Sequence, residues 1–386
     1  MIPATLEALV RPLEEFEAIR RRAVRLGDRL CDLSYANPYE GVVTSVREVL
    51  RRALDRERLL DLQYTPFGGQ TLTRRAVADD LTARQGLEFT YRDVVLTPGA
   101  MAALHLALRA TGEPGDEVVI PVPCWLDYPL YAAALGLRPV LVPLGAPEFQ
   151  LDVGAVERAL GPRTAAVLVS NPSNPAGRSY PAPVFRALGE ALERAERGSG
   201  RRITLIADET HRDFTLAGVH VPAATLIPRT LTVYSFGKYH FIQGQRIGYV
   251  AVSPGHPERE ALATELARWA RILGVCTPTA LMQAAVPELL ALHHDLGPVE
   301  HWRRALTDAL RGAGYTVTPA DATLFVYVAT PGGMPDVEFV RRLAEAGTLA
   351  LPASVFHHQG HFRLALTGGA RMLEGGIRAL QRLAAA

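Results

Sequence analysis

Residues 234–249 read Tyr234-Ser-Phe-Gly-Lys238-Tyr-His-Phe-Ile-Gln-Gly-Gln-Arg246-Ile-Gly-Tyr249. The stretch begins inside a β-rich run that ends at Ser235, and a second apolar run follows Arg246. A lysine at the end of a buried strand, close to other cations, can lose its proton and form a Schiff base with a carbonyl compound. The Ser235 hydroxyl and the Arg246 guanidinium together suit a phosphate. The stretch predicts a reactive Lys238 beside a phosphate site, and a surface lysine and arginine flanking a turn are the alternative.

Outward from this stretch, short β-rich runs alternate with helical patterns. The runs are Val94–Thr97, Glu117–Pro121, Arg138–Pro143, Thr164–Ser170, Thr204–Asp208, Thr230–Ser235 and Arg246–Val252. Strands rich in Val and Ile that alternate with helices favour a mostly parallel sheet covered on both faces. We therefore predict an α/β fold with a seven-stranded sheet, whose last run returns after a short loop as the antiparallel strand.

After Ser253 the pattern changes to long helices followed by short strands. The strands are predicted at Tyr315–Pro319, Leu324–Val328, Leu349–Leu351 and Phe362–Ala365. We predict a large domain over residues 40–276, and a smaller α/β domain that combines an N-terminal arm, residues 1–39, with residues 277–386.

Composition narrows the class of protein. The chain has 386 residues, of which 48% are apolar, so it can bury a sizeable core. Its formal charge of +1 gives no field that would draw nucleic acid or an anionic membrane. The three cysteines show no metal-ligand or disulfide spacing, and no apolar run is long enough to cross a bilayer. We expect a soluble cytoplasmic protein.

Five further motifs carry polar or aromatic residues in strand–loop settings. They are Thr97-Pro-Gly99-Ala100-Met101, Pro123-Cys-Trp125, Asn171-Pro-Ser-Asn174-Pro-Ala-Gly177, Asp208-Glu-Thr-His211 and Phe362-Arg363. The first follows a strand and opens a helix, where free backbone N–H groups bind anions. Each motif also has a plain alternative: an ordinary turn, a core Trp125, a structural His211 or a strand-edge Arg363.

In this order and spacing, the motifs resemble the aminotransferase class I/II family of fold-type-I pyridoxal-phosphate-dependent enzymes. The matches run from about residue 33 to 367. The resemblance implies that Lys238 holds the cofactor as a Schiff base and that Lys238 and Asp208 are the catalytic residues. The cofactor contacts that it implies are Tyr64, Gly99, Ala100, Met101, Trp125, Asn174, Asp208, His211, Ser235, Lys238 and Arg246.

The resemblance also implies individual roles. Asp208 would face the pyridine nitrogen, and Asn174 would donate to the ring oxygen O3′. Arg363 would bind the substrate α-carboxylate, and Asn37 would lie in a region that closes over the substrate, together with Tyr35. In the family, the tyrosine at the position of Tyr64 reaches the phosphate of the neighbouring subunit, so we expect a homodimer.

One residue departs from the common family pattern, because His211 stands where aminotransferases usually have tyrosine. The run Asp208-Glu-Thr-His211 is reminiscent of the C–S β-lyase branch of the fold. An aminotransferase is our first hypothesis, β- or γ-elimination such as C–S cleavage is the second, and a regulatory protein on this fold is the third. A metal site at His357, His358 and His361 is the alternative to our expectation of no metal.

Overall fold

The centre of the structure is a seven-stranded mixed sheet. The computed structural model describes residues 2–37, 44–55, 62–215 and 220–385. The strands in these residues are β1 Cys31–Asp32, β2 Val94–Thr97, β3 Glu117–Val122, β4 Arg138–Pro143, β5 Thr164–Ser170, β6 Thr204–Asp208, β7 Thr230–Ser235, β8 Gly248–Val252, β9 Phe325–Ala329, β10 Thr348–Leu349, β11 Leu351–Pro352 and β12 His361–Ala365. The central sheet has the order β2-β8-β7-β6-β5-β3-β4.

The strand directions confirm the predicted mostly parallel sheet. Strands β3 to β7 pair in parallel, whereas β8 is antiparallel to both of its neighbours, β2 and β7. The return strand begins at Gly248, two residues later than predicted, because Arg246 lies in the preceding loop with a φ of 43°. A β-hairpin-like return needs only this short connection, whereas parallel neighbours require longer crossovers.

Helices cover both faces of the central sheet. The helices in the described residues are α1 Ala4–Ala23, α2 Thr44–Leu54, α3 Thr71–Gln85, α4 Ala100–Thr111, α5 Tyr128–Ala134, α6 Val153–Ala159, α7 Ala182–Ser199, α8 Phe236–Tyr239, α9 Arg259–Ile272, α10 Ala280–Leu290, α11 Gly297–Gly312, α12 Asp336–Glu345 and α13 Ala370–Ala384. In this part of the chain, no helix combines the length and the apolar character needed to cross a membrane.

Alternating side chains of one strand pack on opposite faces. In β6, Ile206 packs in the cluster that contains α4 and α9, whereas Leu205 and Ala207 pack in the cluster that contains α7. Strands β6, β7 and β8 are buried along their whole length. Burial on both faces explains why these strands read as nearly continuous apolar runs.

The carboxyl ends of the parallel strands place polar residues at one edge of the sheet. Ser170 at the end of β5 lies opposite Asp208 at the end of β6, and Asp208 lies opposite Val233. Ser235 ends β7 two residues further on and pairs with Gly248. Ligands of open α/β sheets bind at this edge, so it is the expected position of a site.

The C-terminal elements form a second, smaller layer. Strands β9, β11 and β12 make an antiparallel sheet, and α11, α12 and α13 belong to the same part of the chain. The N-terminal arm joins these elements, since β1 pairs with β10 and α1 packs against α12. The domain division stays a prediction, and its boundary at residue 40 lies outside the described residues.

One predicted strand, Tyr315–Pro319, is wrong. Only Val317 forms a bridge, to Val328, and the Thr318 amide donates to the Tyr327 carbonyl. Pro319 has no amide hydrogen and cannot extend the ladder.

Candidate active site

Lys238 lies in the short helix α8, directly after β7. The Ser235 Oγ accepts a hydrogen bond from the Gly237 amide at 3.3 Å, which caps the start of this helix. Burial, followed by the nearby cations Arg363 and Arg246, lowers the pKa of Lys238 to about 8, while Asp208 opposes the shift. Because the usual lysine pKa is near 10.4, the shift makes a neutral amine accessible near physiological pH.

Asp208 lies at the end of β6 and is held by two donors. Its Oδ2 accepts from the Tyr128 hydroxyl at 2.5 Å, and its Oδ1 accepts from the Thr210 amide at 3.0 Å. Burial raises the pKa of Asp208, and the hydrogen bonds with Thr210 and Tyr128 oppose that shift. Both of these hydrogen-bond donors are neutral, so a cationic ligand group would stabilise the charged form of Asp208.

Arg363 lies in β12 and is almost completely buried, with 1% of its surface exposed. Its Nη1 donates to Asn174 Oδ1 at 2.9 Å, and its Nη2 donates to the Ser34 carbonyl at 2.8 Å. Burial lowers the pKa of Arg363 to about 9, so the group is still cationic at neutral pH. Its Nε has no hydrogen-bond partner among the described residues. A buried guanidinium with neutral partners is suited to bind a carboxylate.

The turn after β2 places the backbone of Gly99 against the guanidinium of Arg246. Gly99 has a φ of 84° and precedes α4, and a Cβ at this position would lie 2.7 Å from Arg246 Nη2. Arg246 is exposed and uses its Nη1 to donate to the Gln243 carbonyl at 2.9 Å. The N-terminus of a twelve-residue helix, a guanidinium and the nearby Ser235 hydroxyl form a suitable cradle for a phosphate.

His211 follows β6 and is buried and neutral. Burial lowers the pKa of His211 well below its usual value, and Lys238 and Arg363 add to the effect. Its ring packs edge to face on Phe325, with 5.3 Å between the centroids. Its Nδ1 is buried with no hydrogen-bond partner among the described residues. An unpartnered polar atom is uncommon in protein interiors, and this nitrogen suits a ligand that can form a hydrogen bond with it.

These residues surround one cavity of about 170 Å³ at the carboxyl edge of the sheet. The predicted residues that line it are Ala100, Met101, Trp125, Asn174, Asp208, His211, Ser235, Lys238 and Arg246. Gly99 immediately precedes this lining, and Arg363 contacts it through Asn174. Tyr64 and Asn37 do not line the cavity, and both are exposed on the chain.

Four lining residues were missed by the sequence reasoning: Leu104, Tyr128, Ser170 and Thr210. Two of them position Asp208 by hydrogen bonds. Tyr128 precedes Asp208 by 80 positions, and nothing local in the sequence connects the two. Thr210 is adjacent in the chain, and an Asp-x-Thr segment after a strand could have suggested the amide contact that the structure shows.

The histidines near the C-terminus have other contacts. His357 Nε2 hydrogen-bonds the Leu126 carbonyl at 3.0 Å, and His358 Nδ1 hydrogen-bonds the Tyr327 hydroxyl at 2.8 Å. The His361 ring stacks on Tyr327, with 4.9 Å between the centroids. Across the described ranges, no group of three or more potential ligands is arranged to hold a metal ion.

The chain is similar to known proteins over most of its length. Residues 29–380 match the family described as aminotransferase class I and II. A probable aspartate/prephenate aminotransferase from Thermus aquaticus is 31% identical over 385 residues, which cover 96% of this chain and 95% of that protein. An aspartate aminotransferase from Geobacillus stearothermophilus is 29% identical over 83% of each chain.

Solved structures show the same fold. An amino transferase from Eubacterium rectale superposes with a TM-score of 0.88 at 27% identity, covering 99% of this chain and 95% of that one. A single mutant of Thermus thermophilus aspartate aminotransferase has a TM-score of 0.85 at 26% identity, covering 99% and 97%. The matched length, the fold and the lysine cavity place the chain in the aminotransferase class I and II family, as a pyridoxal-phosphate-dependent aminotransferase.

Proposed function

We propose that Lys238 is the residue that binds the cofactor aldehyde and moves the substrate proton, and that Arg363 binds the α-carboxylate of the amino acid. The observation that carries this assignment is a lysine with a pKa of about 8 in one cavity with Asp208, flanked by Arg246 and Arg363. Pyridoxal phosphate, when bound, supplies an aldehyde and an electron-withdrawing ring. The other steps are derived from the residues of the chain.

Asp208 holds a proton at the ring nitrogen in this proposal. Its carboxylate is buried and receives two neutral hydrogen bonds, but no ion pair in the described residues. A protonated nitrogen would supply the missing positive charge and would be kept protonated by the carboxylate. Tyr128 and Thr210 are positioning residues, because each fixes one oxygen of Asp208.

Lys238 acts as a base and then as an acid. With a pKa of about 8, roughly one tenth of its amine is neutral at pH 7. With the cofactor bound, the neutral amine would accept the proton of the substrate Cα, and the resulting ammonium would hold that proton for its return. Pyridoxal phosphate would carry the amino group from the donor, which leaves as its 2-oxo acid after hydrolysis by one water, to a second oxo acid.

Arg363 and Asn174 orient the substrate. The guanidinium is a cation with an unpartnered Nε, and an incoming α-carboxylate can accept from it. Asn174 keeps its amide nitrogen for the ring oxygen, because its Oδ1 already accepts from Arg363 Nη1. His211 is neutral and offers a ring nitrogen to the same region.

Transamination is preferred over elimination because the relatives are named as aminotransferases. The test is a single turnover of the cofactor-loaded protein with one amino acid and no oxo acid. We expect the visible absorbance of the bound cofactor to fall permanently, with one equivalent of 2-oxo acid released. Recovery of that absorbance together with accumulating ammonia would show elimination. A Lys238→Ala protein should have neither the cofactor linkage nor turnover.

A second copy of the chain is proposed to complete the phosphate site through Tyr64. This side chain is fully exposed and lies in an apolar surface with Leu62 and Phe67. Hydrogen bonds of the next residue hold its segment in place. Thr65 Oγ1 hydrogen-bonds Thr277 Oγ1 at 2.8 Å and accepts from Gln283 Nε2 at 2.9 Å. An ordered, exposed aromatic residue among apolar neighbours suits a subunit interface.

The dimer is tested by light scattering and by the Tyr64→Phe protein. We expect a dimer whose affinity for pyridoxal phosphate falls when the hydroxyl is removed. A monomer with full activity would contradict the proposal. We also place the enzyme in the cytoplasm, which the free cysteines Cys31, Cys124 and Cys276 support.

A further inference from the structure

We propose that the preferred amino donor is a monocarboxylic α-amino acid with an apolar side chain, an inference that rests on the roles proposed for Lys238, Arg246 and Arg363. Relatives carry aspartate in their names. Aspartate has a second carboxylate, and that group needs a cation or several donors when it is removed from water. Whether this chain offers a cation or donors for a second carboxylate depends on the charges and the lining of the cavity.

The cations at the cavity are already engaged. Among the described lining residues, the cationic side chains are Lys238 and Arg246, and the neutral His211 adds no charge. Lys238 serves the cofactor aldehyde, and Arg246, packed against Gly99, serves the phosphate. Arg363 lies behind Asn174 and serves the α-carboxylate. A second donor carboxylate would therefore enter without a cation of its own from these residues.

A further cation near Arg363 is already neutralised. The Arg20 guanidinium lies 5.5 Å from the ring centroid of Tyr35. Burial raises the pKa of Tyr35, and the charges of Arg20 and Arg363 both oppose that rise, so both cations lie near this residue. Arg20 has the carboxylates of Glu17 and Asp32 each at 3.7 Å. The Tyr35 hydroxyl donates to Glu17 at 2.7 Å. Two carboxylates beside one guanidinium oppose the approach of a third.

The remaining lining is apolar. Met101 in the first turn of α4, Leu104 one turn later and Trp125 all contact the cavity. Met101 is also an expected cofactor contact, and because 43% of its surface is exposed, its thioether can pack against the donor side chain as well. An unbranched thioether adapts its shape to apolar groups and offers a carboxylate no donor.

The surface beside Tyr64 carries the exposed apolar side chains of Leu62 and Phe67. In the proposed dimer, these two residues approach the partner's cavity together with Tyr64. Arg271 lies on the same surface, where its guanidinium is 5.6 Å from the Phe67 ring centroid. The experiment therefore includes an Arg271 variant to test whether this cation binds substrate.

The experiment measures single-turnover specificity of the cofactor-loaded enzyme for leucine, methionine, phenylalanine, aspartate and glutamate. We expect the best apolar donor to exceed both dicarboxylates by about tenfold or more. Aspartate or glutamate as the best donor would overturn the inference and leave the aminotransferase roles standing. Failure of every amino acid to change the cofactor absorbance would instead overturn those roles.

A binding measurement provides a readout besides activity. By calorimetry, the unreactive 4-methylpentanoate should bind the cofactor-loaded enzyme more tightly than succinate, and the reverse order would overturn the inference. The Met101→Lys protein should raise the aspartate-to-leucine specificity ratio by about tenfold. Cofactor content and melting temperature establish that it is folded.

Two further proteins serve as controls. Val24→Lys adds the same charge at an exposed residue outside the cavity lining, and its specificity ratio should not change. Arg271→Gln should also leave the ratio unchanged. A selective loss of aspartate conversion in Arg271→Gln would show that this arginine binds a dicarboxylate, which contradicts the inference. An unchanged ratio in Met101→Lys would contradict the role of Met101.

Discussion

Asn174 and Arg363 are separated by 189 positions and are joined by a 2.9 Å hydrogen bond from Arg363 Nη1 to Asn174 Oδ1. The bond connects the loop after β5 with strand β12. This hydrogen bond therefore links the loop at the edge of the central sheet to the smaller sheet. Since Asn174 is proposed to contact the cofactor ring and Arg363 the α-carboxylate, the contact fixes the two binding groups relative to each other.

Replacing Arg363 by lysine should weaken substrate binding. A lysine cannot reproduce the forked guanidinium, and loss of one partner of a buried charged hydrogen-bond pair typically costs about 2–5 kcal/mol. We expect a raised KM for both amino acid and oxo acid, with a smaller change in kcat, in steady-state kinetics.

A matched control for this substitution is Arg303→Lys. Arg303 is also buried and donates to the backbone carbonyls of Ala322 and Thr323, but neither of these partners lines the cavity, whereas Asn174 does. It should lose stability and retain the KM of the unaltered protein. Equal KM values in both variants would remove Arg363 from the substrate site.

Replacing Asp208 by asparagine should slow turnover by about 10²–10³-fold, because the amide cannot keep the ring nitrogen protonated. Cofactor should remain bound, since Lys238 and the phosphate cradle are unchanged. Tyr128→Phe removes one donor to Asp208 Oδ2 and should have a smaller effect in the same direction. Full activity of the Asp208→Asn protein would contradict the assigned role.

The rate at which the cofactor-free protein binds pyridoxal phosphate should depend on pH through Lys238. Burial and the neighbouring arginines lower the pKa of Lys238 from 10.5 to about 8, and only the neutral amine reacts. The rate constant should therefore rise with pH, by about tenfold per unit well below pH 8, and level off above it. Stopped-flow absorbance measures this profile.

Two other pH profiles would contradict this expectation. A rise that continues to about pH 10 would mean that Lys238 has an ordinary lysine pKa. A rate already constant at pH 6 would mean a larger depression than the burial and charges of this site produce. Lys238→Arg provides the baseline, because it preserves the positive charge and cannot form the linkage.

Gly99→Ala should weaken binding of the cofactor phosphate. Gly99 has a φ of 84°, and a Cβ would lie 2.7 Å from Arg246 Nη2, which would displace the guanidinium. Gly115→Ala is the matched control, because its φ of 94° is similar but no atom lies within 4 Å of an added Cβ. Both should lose about 1–2 kcal/mol of stability from backbone strain.

Equilibrium dialysis with pyridoxal phosphate separates the two glycine variants. Only Gly99→Ala should show a raised dissociation constant. Equal affinities in the two variants would mean that strain alone, and not contact with Arg246, determines the effect.

Much of the fold could be predicted because strand signals are local. The seven runs of the central sheet each lie within a few residues of an observed strand, since burial on both faces makes Val and Ile runs continuous. The prediction of a strand at Tyr315–Pro319 was wrong. The single bridge at Val317 depends on its partner Val328 and not on the local strand propensity.

Most cavity residues could also be predicted, because each follows a strand in a short, distinctive motif. Tyr128 could not, since its contact with Asp208 spans 80 positions. The unpartnered Nε of Arg363 likewise cannot be read from the sequence, because it depends on which side chains the fold places around β12.

The sequence by itself determined which residue types are present and that Lys238, Asp208 and Arg363 each lie in or next to a strand. It could do so because strands and turns are recognised from patterns of neighbouring residues. The tertiary structure decided the electrostatic environment of these groups and, with it, their pKa values. It removed Lys238 from water beside two arginines, held Asp208 with Tyr128, and joined Arg363 to Asn174. Desolvation and charge act through space, so only the folded chain sets them.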